Sequence, residues 1–217
     1  MRGWFGSLRT VYQRDKPQRL PGVERDPVRL VFFSDAVFAI AVTLLVLEIQ
    51  PPEDFGHLLE GLGRLWPSYL AYAVSFLLIG QVWVNHHVMF EHIRGIDRRI
   101  LFLNTLLLLD IAFLPFPASV LAGALHAGEG LGVAVVLYGV TFWVAALLFN
   151  VLWAHARMGG LVDAGALPDG GRAITLRFAT ALVWLGVGTV IGVFVPVAGM
   201  AVIAAFIPAY YLPIRGE

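Results

Sequence analysis

The 217 residues are 59% hydrophobic and only 14% charged, with 15 Lys and Arg balanced by 15 Asp and Glu. A water-soluble domain carries about 25% charged residues, so the apolar excess points to a bilayer, and zero net charge gives no footing for nucleic acid. The chain has no cysteine, which excludes disulfides, thiolate metal sites and cysteine nucleophiles.

Residues 1–28 hold six Lys and Arg, from Arg2 to Arg25, interleaved with Pro17, Pro21 and Pro27, and no apolar run follows until Val28. They read as a polar cytosolic tail rather than a cleaved signal, with Trp4, Phe5 and Tyr12 as the alternative for a segment lying on the membrane surface. From there the expectation is an all-α membrane domain over 29–213, followed by a short cytosolic end, 214–217. A crossing needs about 20 mainly apolar residues. Six stretches qualify, at 29–50, 65–91, 99–120, 130–154, 173–194 and 197–213. With six crossings and a cytosolic N-terminus, every Lys and Arg except Arg64 falls on the cytosolic side, the distribution that positive-inside insertion produces. The expected outcome is a multi-pass protein of the plasma (inner) membrane with both termini in the cytosol. The outer loops carry Glu48, Glu53, Asp54, Glu60 and Glu129. They are either an acidic vestibule that concentrates cations or simply loops lacking Lys and Arg.

Polar residues inside the spans need a partner or a purpose. At a rise of about 1.5 Å per residue, Asp35 on the first span, His86 and His87 on the second and Asn104 on the third reach one level from three helices. This predicts a polar cluster of Arg29, Ser34, Asp35, His86, His87 and Asn104, with Trp83 one turn deeper. It would fix the first helix against its neighbours, relay protons or hold a metal. Neighbouring histidines point about 100° apart, and His57, His126 and His155 are scattered, so a histidine-dependent membrane enzyme has weak support. Asp110, twelve residues into the third span, has no evident partner; it faces a polar cavity or is protonated. Pro115 and Pro117 predict a kink beyond it. On the first span, Ile40, Thr43, Leu44 and Leu47 share one helical face, as in any bundle core.

Three motifs carry a family resemblance: R-x-x-x-F-S-D from Arg29 through Phe33, Ser34 and Asp35, Trp83…His86-His87 in the second span, and Leu103-Asn104-Thr105 through Phe113-Leu-Pro115-Phe-Pro117 in the third. Together they resemble the bacterial members of the transmembrane protein 175 family of potassium channels. Spans four to six fit only by length and hydropathy. The resemblance implies a homotetramer of six-helix subunits with the pore lined by the first helix and no re-entrant filter loop. It also implies a constriction at Ile40, followed by Thr43, Leu44 and Leu47, with Glu48 at the outer mouth. Partners would be lipid, three further copies and monovalent cations, with potassium permeant, no cofactor and no enzymatic activity. A secondary transporter is the rival class, and it would be expected to show a repeat or broken helices aimed at a midplane site.

Overall fold

The computed structural model describes residues 27–210 apart from 164, 166, 168 and 170. The expected tail and the C-terminal residues 214–217 lie outside the described residues, save Pro27 and Val28. The described residues are helical throughout, joined by loops and one isolated β-bridge. Helix α1 (Val28–Leu44) continues into a 3₁₀ turn, Leu45–Glu48, and together they form one apolar crossing of 21 residues. A short helix α2 (Leu58–Arg64) precedes α3 (Trp66–His92), the second crossing. The third crossing, Arg98–Ala127, is divided into α4 (Arg98–Phe113) and α5 (Pro115–Ala127). Helices α6 (Leu131–Met158) and α7 (Arg172–Phe194) are the fourth and fifth, and α8 (Pro196–Ala204) and α9 (Phe206–Tyr210) follow.

The proline kink is confirmed in its cause. Pro115 has no N–H to give the Ile111 carbonyl, and the N–H of Leu114 takes that carbonyl at 3.2 Å instead, tightening the helix before it restarts. The sequence reading stopped the third span at 120; the apolar helix runs on to Ala127, where Gly128 closes it at φ 72° and donates to the Ala124 carbonyl. Among the described residues five helices are long and apolar enough to cross a membrane, whereas Pro196–Pro208 is shorter. Pro208 cannot donate to the Ala204 carbonyl, which is where α8 gives way to α9. The expected sixth span, 197–213, extends beyond the described residues.

Helix α6 is the spine. Ala134, Tyr138, Phe142, Ala145, Phe149, Leu152 and Ala156 form one buried stripe along its length, flanked by buried Val135, Gly139, Ala146 and Trp153, and it packs against α7 as well as against α4 and α5. Polar contacts pin these neighbours. Ser75 of α3 bonds the Tyr138 hydroxyl at 2.9 Å, and Asn150 donates to the Phe178 carbonyl of α7 at 2.9 Å. Glycines set the closest approach. A Cβ on Gly199 would collide with the Gly192 backbone and lie 2.7 Å from the Gly188 carbonyl oxygen, so α8 folds back on α7 directly after Pro196.

At the arginine-rich end, two loops are laced together. The Arg94 N–H donates to the Leu161 carbonyl (2.8 Å) and the Asp163 N–H to the His92 carbonyl (3.0 Å), around an antiparallel bridge of Ile93 and Val162. Asp97 caps α4 through the Ile100 N–H at 2.8 Å, and its other oxygen meets His155 Nε2 at 2.8 Å. Partial burial pushes the Asp97 carboxyl up, but the Ile100 N–H and His155 outweigh it, and its pKa lies below the ordinary aspartate value.

Two outcomes are expected. Gly199→Ala overpacks the α7–α8 contact and costs about 1–3 kcal/mol, seen as earlier thermal unfolding in detergent, whereas Gly123→Ala, with open space around its Cβ, unfolds as wild type. Because folding lowers the Asp97 pKa, its contribution is complete above the ordinary carboxylate range, about pH 4, and disappears as pH falls through the folded value. Wild type should therefore be more stable than Asp97→Asn at pH 7, with the gap closing below about pH 4 when unfolding is followed against pH.

Candidate functional site: the fixed and open faces of the first helix

The buried stripe of α1 is Ser34, Phe38, Ala41 and Leu45, at steps of four, three and four, and it packs against α3 and α4. The opposite face has no partner among the described residues: Ile40 is 57% exposed, Leu44 41% and Leu47 64%, with Thr43 exposed between them. Phe33 lies open on the same side one heptad before Ile40.

What fixes this rotation is a directional chain of hydrogen bonds. Ser34 Oγ gives its proton to the Leu30 carbonyl at 2.9 Å, as helical serines do. Its oxygen is then free to accept from Asn104 Nδ2 at 3.0 Å. That orients the amide so that Asn104 Oδ1 faces His86 Nε2, also at 3.0 Å. An amide oxygen only accepts, so Nε2 carries the proton and Nδ1 is left as a lone pair. His86 Nδ1 is buried with no hydrogen-bond partner among the described residues. The ring sits among Phe38, Phe90 and Phe149, with centroids 4.4–6.5 Å away. All three polar residues are fully buried, so the network is dry and each link depends on the next.

The expected single cluster therefore resolves into parts. Ser34, His86 and Asn104 meet. Asp35 instead accepts from Trp83 Nε1 at 2.8 Å, so Trp83, one turn from His86 along α3 as expected, is the aspartate's partner. His87 points away from His86, stacks on Trp83 at 5.8 Å and approaches Glu91 Oε1 at 3.2 Å on an exposed surface. Arg29 and Phe33 are exposed, outside the buried chain. Among the described residues, no group of three or more His, Asp or Glu is placed to hold a metal. Asp110 stands apart, half-buried, with Oδ2 buried and unpartnered among the described residues.

Further along α1, Thr43 shares its one proton between the Ala39 (3.0 Å) and Ile40 (2.9 Å) carbonyls. The hydroxyl thus turns only oxygen lone pairs outward. Glu48 ends the crossing, half-buried. Of the acids beyond this end of the crossing, Asp54 bonds His57 at 2.8 Å and Glu60 bonds Arg64 at 2.5 Å. Helix α2 escaped the sequence reading because Gly56, Gly61 and Gly63 look like a loop. Its signal was the apolar stripe Leu58, Leu59, Leu62 and Trp66, and its anchor is Gly61, where a Cβ would meet Pro52 at 2.7 Å.

Asn104→Leu should strand the His86 N–H and the Ser34 oxygen together. The cost is about 1–3 kcal/mol, read as a lower melting temperature of the purified protein. His87→Ala removes an exposed pair and should shift melting by less than about 0.5 kcal/mol.

Comparison with known proteins converges on one family. The family model described as the endosomal/lysosomal potassium channel TMEM175 matches residues 29–115, the segment that carries the chain of polar residues and the open face. A potassium channel of Streptomyces collinus is 44% identical over 154 residues, 70% of this chain and 75% of that protein. One from Chamaesiphon minutus is 44% identical over 132 residues, 59% of this chain and 64% of the relative. A crystal structure of a lysosomal potassium-selective channel TMEM175 homolog from the same species superposes with a TM-score of 0.78 at 33% identity, covering 87% of this chain and 98% of that one. The chain is a bacterial-type member of the TMEM175 family of ion channels.

Proposed function

We propose that this chain is one subunit of a potassium-conducting channel in which four copies of α1 surround the permeation path with their open faces. The single observation that carries the reading is the division of α1: one stripe is locked by Ser34, Phe38, Ala41 and Leu45, while Ile40, Thr43, Leu44 and Leu47 are open, facing nothing among the described residues. The relatives described as potassium channels support the choice of ion.

In this reading, an ion entering from the arginine-rich end first meets a ring of four Ile40 side chains. Three residues, about 4.5 Å, further along lies a ring of Thr43. Apolar side chains offer an ion nothing in place of its water, so passage at Ile40 requires a partial loss of the hydration shell. Potassium holds its water less tightly than sodium and loses less. The Thr43 oxygens, with their proton already committed to the helix, accept a cation and have no hydrogen to present to an anion. Leu44 and Leu47 continue the apolar throat, and Glu48 at its outer end attracts cations. Selection by dehydration is weaker than selection by a carbonyl cage, so discrimination is modest. The same ring can empty of water and close, which makes it both filter and gate. The buried chain Ser34–Asn104–His86 then acts on permeation through α1's rotation alone: a turn of 100°, one residue, would replace Ile40 with a neighbour.

Ile40→Asn in planar bilayers should raise unitary conductance and move the potassium/sodium reversal potential toward zero. An unchanged reversal potential would remove Ile40 from the role. Cross-linking of the purified protein should give a four-subunit limit; a stable dimer or monomer that conducts would overturn the four-fold path.

A further inference from the structure

A second open surface lies on α7 and α8. Leu176, Thr180, Val183, Trp184 and Val187 of α7, with Val202 of α8, line a groove of about 560 Å³ whose walls are almost wholly apolar. That volume falls within the range of sites that enclose small ligands, about 300–1,000 Å³. The Trp184 indole donates to the Val202 carbonyl at 2.7 Å, which fixes the ring as a rigid wall between the two helices. From Leu176 to Val187 the groove runs eleven residues, about 16 Å along the axis. That is half of the roughly 30 Å hydrocarbon core, the depth of one leaflet.

The charge is placed at one end only. Arg172 precedes Leu176 by four residues and Val183 by eleven, so it stands on the same helical stripe. Arg177 precedes Thr180 by three and Trp184 by seven, and so heads the second stripe. Arg172 is exposed; the nearby acid Asp169 is turned to the backbone N–H groups of Gly171, Arg172 and Ala173 and caps α7. A one-leaflet apolar trough with two guanidinium-bearing stripes at its polar end matches a molecule with an acyl chain and an anionic phosphate.

We infer that this groove is a binding site for one anionic phospholipid of the arginine-side leaflet, with its acyl chain along α7–α8 and its phosphate at Arg172 and Arg177. The occupant lies outside the face proposed for ions, and the site stands whether or not the channel conducts potassium.

The test is native mass spectrometry of the full chain, purified in detergent and supplied with equal phosphatidylglycerol and phosphatidylcholine. Wild type should retain phosphatidylglycerol preferentially, and Arg172→Gln, at an exposed position, should lower that preference about fivefold, the worth of one basic residue near an anionic headgroup. Val183→Trp, which fills the trough, should lose the retained lipid of either headgroup. Equal retention of the two lipids by wild type, or a preference untouched by Arg172→Gln, would overturn the site. So would a Val183→Cys disulfide joining two copies, which would make the groove a subunit contact.

Discussion

The hydrogen bond between Asn104 and Ser34 governs the rest of the site, because it is the link that joins α1 to α4 at a single rotation. In water, the stripe Phe38, Ala41 and Leu45 would hold the helix by hydrophobic burial. In a bilayer, lipid tails offer those side chains nearly the same environment, and burial between helices gains little. Orientation then falls to contacts that lipid cannot imitate: directional polar bonds and close backbone approach. The described residues use both. Ser34, Asn104 and His86 set α1, while Gly192 and Gly199 set α7 against α8.

The polarity of the chain has its own consequence. Ser34 must give its proton to Leu30 for its oxygen to receive Asn104, and Asn104 must present its oxygen for His86 to be protonated at Nε2. Charging His86 would place a second proton on Nδ1, which faces aromatic rings and has no acceptor among the described residues. The network therefore suits a neutral, fixed imidazole, and a proton relay through it lacks an exit. Sequence reading had left scaffold, relay and metal as open roles; the geometry favours the scaffold.

Much of this was legible in the residues. Runs of apolar residues gave the first five crossings to within a few positions, except where α5 continues to Ala127 and α6 to Met158. Equal depth from the helix ends brought Ser34, His86 and Asn104 together correctly. Depth alone cannot supply azimuth, and that is why His87 was wrongly grouped with them: it sits one residue from His86 and 100° around the helix. Nor does it account for side-chain reach. Counted from the helix ends, Asp35 and Trp83 differ in level by only about two residues, or 3 Å, which an indole spans. The pairings of Arg94 with Asp163 and of Asp97 with His155 join residues 69 and 58 positions apart, and no local pattern announces them.

An exposed apolar face means little by itself on a membrane protein, since lipid covers it without cost. The polar atoms set within such a face, and their depth, are what separate one role from another. On α7 the cations are gathered at one end, with walls that are apolar apart from the Thr180 hydroxyl extending for half a bilayer, the pattern of a headgroup and its chain. On α1 the polar group is a threonine oxygen about three quarters of the way along the crossing, fifteen residues from Val28 and five from Glu48, with Ile40 before it and Leu44 and Leu47 beyond. A cation stripped of water can use such an acceptor. Thr180 offers a hydroxyl in the α7 groove as well, so the assignment of the two faces rests on charge, with Arg172 and Arg177 heading the groove and Glu48 at the far end of α1.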